Sequence, residues 1–372
     1  MIGSRVEETM TPKHDGYHYS LEADSDFMYE ISKSVLNDTL SVEPTDCPGF
    51  VRLVLTSKDN VHYIILQAIK QDKTMWISPL KFKAHISVAL YILVTAMKDH
   101  NNIDLLEGFL VDTEIVGPAI RLKCDPETEE NEPDLTWSLA NSEGIIEELS
   151  DNLKLTEIDF VPVLAFENWP PIANEWIKRA RKWPPPPLVQ NIIQYGFHVV
   201  AKSSSKETED YEWRISFAKA NSVLLKSIDK YSWCKQCYRI FKCLIKYYFS
   251  HPKLITAFHC KTVFFWTLER FPPDSWTFEN LGQRFLGLLD SLLHALVMGR
   301  LSEYFIPYDN LFSKFEPDCT LTVMQKISEM RREPFRFIYR IGTQAWNDEL
   351  QGMTIDEMLH WNDKPETERF PG

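Results

Sequence analysis

The chain has 372 residues, 44 % of them hydrophobic and 13 % aromatic, which suits two packed lobes and excludes a disordered chain. A formal net charge of −13 excludes a protein coated with positive charge, so any nucleic acid would have to meet a confined basic patch. Seven cysteines, at 47, 124, 234, 237, 243, 260 and 319, are scattered and odd in number, and no secretory apolar segment opens the chain; both features point to free thiols in a reducing, cytoplasmic or nuclear setting.

The chain opens on Met1-Ile2-Gly3-Ser4, directly at a glycine–serine turn, and the expectation is that a helix once preceded it. Val51–Leu55, His62–Gln67 and Ile158–Phe166 are rich in branched and aromatic residues and are predicted strands. Lys83–Asp99 has helix length; its apolar stretch Ile86–Met97 falls short of the ~18 residues of a membrane span, lies between Lys81, Lys83 and Lys98, and reads as a buried core helix. Asp125–Asp134 carries six acidic residues and no basic one, which predicts a solvated loop.

Trp169-Pro170-Pro171 predicts the start of a helix that ends before Trp183, where the run Pro184–Pro187 predicts a stiff non-helical spacer. A polar loop follows at Ser203–Asp210, and from Ser216 onward the apolar period is helical. Leu281, Phe285, Leu288, Leu289, Leu292 and Leu296 recur every three or four residues, and Cys237–Tyr248 and Thr262–Arg270 look alike. The predicted class is α+β: a mixed-sheet lobe over 1–167, a long helix and proline-rich connector over 168–202, a helical lobe over 203–345 and a tail over 346–372.

Asp24 and Asp26 stand two residues apart, which in a strand places them on one face. Paired carboxylates can hold Mg²⁺ or Mn²⁺, and such metals promote phosphoryl displacement. Asp159, the lone charge at the head of an apolar strand, is the candidate third ligand. Acidic pairs at this spacing also arise by chance in a chain with 53 acidic residues, and Asp159 alone reads equally as a strand-end surface charge. Gly3-Ser4 could offer backbone N–H groups and a hydroxyl to a phosphate, or be an ordinary turn.

Together, Gly3-Ser4-Arg5-Val6-Glu7, Asp24-Ser25-Asp26-Phe27-Met28 and Asp159 resemble the Gly-Ser and carboxylate set of the cyclic GMP–AMP synthase family (cGAS-like receptors), within the wider Mab-twenty-one-like (male abnormal) family. Trp213-Arg214-Ile215-Ser216-Phe217, Phe258-His259-Cys260-Lys261-Thr262, Glu303-Tyr304-Phe305-Ile306-Pro307 and Asn310-Leu311-Phe312 resemble later family blocks in the same order. The resemblance implies a bilobal nucleotidyltransferase fold with a C-terminal all-helical, HhH/H2TH-like lobe. It implies Mg²⁺ or Mn²⁺ on Asp24, Asp26 and Asp159, ATP and GTP as substrates, and a cyclic dinucleotide product serving innate immune sensing. Gly3 and Ser4 fall at the triphosphate, Lys242 at a phosphate-contacting lysine, Phe258 where a base-stacking tyrosine usually sits, and Arg214 and Ser216 at base or phosphate contacts.

Each has a plainer reading: Lys242 as a helix-surface lysine, Phe258 as core, Arg214 as a salt-bridge partner. Asn221 stands where the family commonly has a glutamate, and Ala257 replaces a serine beside the stacking position. Cys234-x-x-Cys237 with Cys243 lacks a histidine at zinc-compatible spacing, so no structural zinc is expected. Lys178, Arg179, Arg181 and Lys182 form the candidate nucleic-acid patch, with duplex RNA as the expected activator; Arg331, Arg332, Arg336 and Arg340 form a second basic group. The competing reading is a binding or scaffold protein that keeps the fold without catalysis.

Overall fold

Branched and aromatic runs pair into a single large sheet in the computed structural model, which describes residues 13–14, 19–20, 26–31, 39–56, 68–71, 74–99, 109–124, 157–249 and 254–341. A small hairpin, β1 (Lys13–His14) with β2 (Tyr19–Ser20), stands apart from it. Among the described residues the main sheet has ten strands: β3 (Asp26–Ile31), β4 (Leu40–Pro44), β5 (Phe50–Leu55), β6 (Ala68–Gln71), β7 (Thr74–Ile77), β8 (Phe109–Val116), β9 (Ala119–Cys124), β10 (Glu157–Phe166), β11 (Phe197–Val200) and β12 (Trp213–Ser216). Its path runs β6-β7-β5-β12-β11-β10-β9-β8, with β3 added to β10 and β4 to β5.

β10 organises the sheet. β3 runs parallel along its residues 159–164, while β9 pairs antiparallel with 157–160 and β11 with 163–166. Val163, Leu164, Ala165 and Phe166 are all buried, as are all four residues of β11, the pattern of strands covered on both faces. The predicted segment His62–Gln67 lies outside the described residues; the strand found next to it is Ala68–Gln71.

α1 (Pro79–Asp99) packs on the sheet through Phe82, whose ring meets Trp213 edge-on at 5.2 Å, and Ile86. Val88 and Tyr91 of the same helix are more than half exposed, so over its described side chains α1 is amphipathic and not the wholly buried helix that its apolar composition suggested. Among the described residues no helix is long and apolar enough to cross a membrane.

The connector differs from the predicted long helix. A 3₁₀ turn at Pro171–Ala173 leads into α2 (Asn174–Lys178), which stops at Arg179 with extended backbone. Arg181 donates to the carbonyl of Trp176, taking an acceptor that a continuing helix would use. Pro186 and Pro187 open α3 (Pro186–Ile193), since a helix's first turn needs no N–H from them; the spacer is thus only partly non-helical.

β11 and β12 lie inside the sheet, so the first lobe extends to residue 216, past the expected boundary at 167 and into the segment from 203 where the sequence predicts the helical lobe. α4 (Ala218–Lys226) follows. Among the described residues the helical lobe includes α5 (Trp233–Phe249), α6 (Ala257–Arg270), α7 (Leu281–Val297) and α8 (Pro317–Arg332), and residues 334–341 are also helical. α7 packs against the other three and buries Phe285, Leu288, Leu289, Leu292 and Leu296, the stripe that its spacing predicted. The lobes meet on an aromatic cluster in which Trp169, Trp176, Phe217, Tyr304 and Phe305 touch at centroid distances of 4.6–6.3 Å.

Candidate active site

The parallel ladder between β3 and β10 pairs Asp26 directly with Asp159. On its other side Asp159 is in register with Arg121 of β9. Two carboxylate-bearing residues from segments more than a hundred positions apart in sequence thus occupy neighbouring positions of the sheet, with an arginine position next in line. Gly3, Ser4 and Asp24 lie outside the described residues.

Two strands further along the sheet path, β12 alternates. Trp213 and Ile215 are buried, and the Trp213 indole N–H donates to the Ile77 carbonyl at 3.0 Å. Arg214 and Ser216 therefore share the opposite, half-exposed face, as period-two geometry requires. Arg214 Nη2 donates to Asp309 Oδ2 at 3.3 Å. Its salt-bridge reading holds, and the partner comes from the helical lobe.

The loop that carries Asp309 braces itself. The buried Glu303 carboxylate accepts the N–H groups of Phe305 and Ile306 at 2.8 and 2.6 Å, and the Glu303 N–H donates to the Asp309 carbonyl at 2.9 Å. Asn310 Oδ1 accepts from the N–H of Leu301 and of Phe312, and its amide donates to the Gly299 carbonyl. The two blocks that read as family signatures are thus one stapled loop. Burial pushes the Glu303 carboxyl up to about 7. Burial also raises Asp309, opposed by the Arg214 charge. Gly49 closes the contact from the β4–β5 turn: its φ is +81°, and a Cβ there would lie 2.8 Å from Asp309 Oδ2. No sequence signal singled out Glu303 or Asp309 as site residues; Glu303 was visible only as one letter in an aromatic block.

The remaining candidates lie on α4, α5 and α6. Asn221 is buried in α4. Lys242 is buried in α5 at 2 % exposure, near enough to Cys260 and Cys243 that its charge lowers their thiol pKa values against the larger effect of burial. The helix-surface reading of Lys242 is therefore wrong. Phe258 is half-buried in the first turn of α6, and its carbonyl accepts the Thr262 hydroxyl at 2.9 Å. His259 beside it closes a capping box: its Nδ1 accepts the Thr256 N–H at 3.0 Å, and burial, helped by Arg214, lowers its pKa to about 4.

Comparison with known families decides the lineage. The family model described as the Mab-21 protein nucleotidyltransferase domain matches residues 27–227, more than half of the chain, and the Mab-21 protein HhH/H2TH-like domain matches residues 233–329. The chain belongs to the Mab-21 family. It is 27 % identical over 216 residues to protein mab-21-like 3 of Danio rerio, covering 55 % of this chain and 54 % of that one. It is 24 % identical over 209 residues to protein mab-21-like 3 of Xenopus laevis, covering 53 % and 55 %. Protein mab-21-like of Aedes aegypti is 27 % identical over 173 residues, covering 44 % and 46 %. The chain spans about half the length of the curated relatives it matches. The two Mab-21 matches meet between residues 227 and 233, where α4 ends and α5 begins.

In this Mab-21 chain the connector arginines are engaged by partners within the protein. Arg179 donates from Nε and Nη2 to Glu175 at 3.0 and 2.7 Å, from Nη1 to Glu269 at 2.8 Å and from Nη2 to the Tyr304 carbonyl at 3.1 Å. Its guanidinium also lies 4.2 Å from the Trp266 ring centroid. The side chains of Arg179 and Arg181 are only 10 % and 3 % exposed. Both are turned into the joint between connector and α6, leaving Lys178 and Lys182 at the surface. Cys234 and Cys237 are buried on α5 and Cys243 is half-buried there: burial pushes Cys237 up to about 12 and raises Cys234 further, which disfavours the thiolate that zinc needs.

Proposed function

We propose that this Mab-21-family chain is a metal-dependent nucleotidyltransferase that joins ATP and GTP into a cyclic dinucleotide of the cyclic GMP–AMP type. The observation that carries the proposal is the register pairing of Asp26 with Asp159, with Asp24 two positions before Asp26. An all-carboxylate donor set fits hard divalent cations such as Mg²⁺ or Mn²⁺. When bound, such ions supply an activated attacking hydroxyl and a stabilised leaving oxygen. Asp24, Asp26 and Asp159 hold them; Gly3 and Ser4 meet the triphosphate; Phe258 stacks on a base. Arg214 and Ser216 make base or phosphate contacts, Asn221 lies on the base-reading wall, and Lys242 contributes positive charge toward the phosphates. Duplex RNA activates the enzyme in the cytoplasm or nucleus, and the product acts as an immune second messenger.

A second reading, a catalytically silent binding protein, is favoured by two observations: Arg121 stands in register beside Asp159, and Arg214 is already engaged by Asp309. Incubation with labelled ATP and GTP, Mn²⁺ or Mg²⁺, and a panel of duplex RNA and DNA separates the two. A phosphatase-resistant product supports the enzyme. Its absence under every activator, with nucleotide binding retained, supports the silent binder.

A further inference from the structure

A groove on the helical lobe contains none of the candidate active-site residues. Its volume is about 740 Å³, in the range of small-molecule sites, and its walls come from α6, α7, α8 and the segment at Leu301–Ser302. Three helices each contribute one arginine: Arg270 ends α6, Arg284 lies in the first turn of α7, and Arg331 lies in the last turn of α8. Asp290 is the one acidic residue among them, so the arginines and this aspartate sum to about +2 on a chain whose net charge is −13. A phosphate monoester carries about −1.5 to −2 near pH 7 and matches that surplus, whereas a single carboxylate does not.

Each guanidinium is held from one side. Arg270 Nη2 donates to Ser291 Oγ at 3.1 Å, and that hydroxyl donates to the Gly287 carbonyl at 2.7 Å. Arg331 donates from Nε and Nη2 to the two Asp290 oxygens at 2.6 and 3.3 Å. Arg284 lies over the Phe271 ring, 3.9 Å from its centroid, with one long bond of 3.4 Å to the Ser275 carbonyl. Its Nε is buried without a hydrogen-bond partner. A guanidinium has five N–H donors, and these contacts use a minority of them. The forks are therefore pre-positioned with donors left over, the arrangement in which arginine grips an oxyanion. Trp266 and Phe271 add apolar surface beside the cations.

We propose that this groove binds a small soluble phosphorylated molecule, its phosphate oxygens met by Arg270, Arg284 and Arg331 and its body laid against Trp266 and Phe271. Fructose 1,6-bisphosphate is the probe and citrate the carboxylate control, titrated calorimetrically into the full chain with divalent metals chelated. Wild type and Asp26→Asn should bind the bisphosphate alike, with one saturable site that weakens as salt is added. Arg284→Gln and Arg270→Gln should each weaken binding roughly ten-fold or more, and Arg284→Lys should lose less than Arg284→Gln. Arg270 is exposed at the end of its helix, so Arg270→Gln should unfold at the wild-type denaturant midpoint, which separates lost binding from lost fold. The proposal is overturned by no saturable binding to wild type, by equal affinity in both glutamine variants, or by citrate binding as tightly as the bisphosphate.

Discussion

Asp26 and Asp159 are direct register partners, brought together because β3 runs parallel to β10. The same register sets Arg121 on the far side of Asp159. The proposed reaction depends on which neighbour governs Asp159. A divalent cation shared with Asp26 makes a transferase; neutralisation by arginine makes a binder. Mn²⁺ titration followed by electron paramagnetic resonance should show tight binding to wild type and a loss of ten-fold or more in Asp26→Asn and in Asp159→Asn, with all three proteins folded. Binding unchanged by either substitution would remove both residues from the metal site.

Arg179 ties the connector to α6 and to the Tyr304 carbonyl. Removing it strands the Glu269 carboxylate, whose side chain is only 10 % exposed. Arg179→Ala should lower unfolding free energy by about 2–4 kcal/mol in denaturant titrations. Arg179→Lys should recover only part of this, because an ammonium cannot span two carboxylates and a carbonyl as the fork does. A neutral Arg179→Ala would mean that the joint is held by its aromatic rings alone.

Glu303 sets a pH dependence. Its carboxyl stands at about 7 in the folded chain, above the unfolded value of 4.5, because burial disfavours the charge. Folding therefore favours the protonated form, and this contribution is complete below the unfolded pKa and lost as pH rises through about 7. Glu303→Gln keeps an acceptor for the Phe305 and Ile306 N–H groups and has no proton to lose. Relative to wild type, the variant should gain stability between pH 5 and pH 8 by about 2–3 kcal/mol. A difference that is flat with pH would show that the two N–H donors already stabilise the carboxylate.

Gly49→Ala carries two separate costs, a left-handed backbone at φ +81° and a Cβ 2.8 Å from Asp309 Oδ2. The expected loss is about 1–3 kcal/mol in denaturant titrations. In an Asp309→Ala background the steric share should vanish and the backbone share remain. Fully additive single and double substitutions would contradict the contact.

The parts of this fold that were legible in the sequence are those with local causes. β5 and β10 are runs of branched residues, and the stripe of α7 is spaced for one helical face. β12 is not legible: four residues, Trp213–Ser216, become a strand only by pairing with β5 and β11, and the helical period that follows hides them. The connector arginines misled for a similar reason. A basic run looks like a solvated patch, and what turns Arg179 inward is Glu269, ninety positions later. The carboxylates were legible as residue types, but their adjacency is a matter of register, which no local pattern encodes.

The most direct test of the transferase is release of pyrophosphate from ATP and GTP in the presence of Mn²⁺ and duplex RNA, followed in the same experiment for wild type and Asp159→Asn. The account predicts pyrophosphate, with matching appearance of a cyclic dinucleotide, from wild type and a loss of at least about a hundred-fold in the variant. Equal release by the two proteins, or none by wild type while it binds nucleotide, would contradict it.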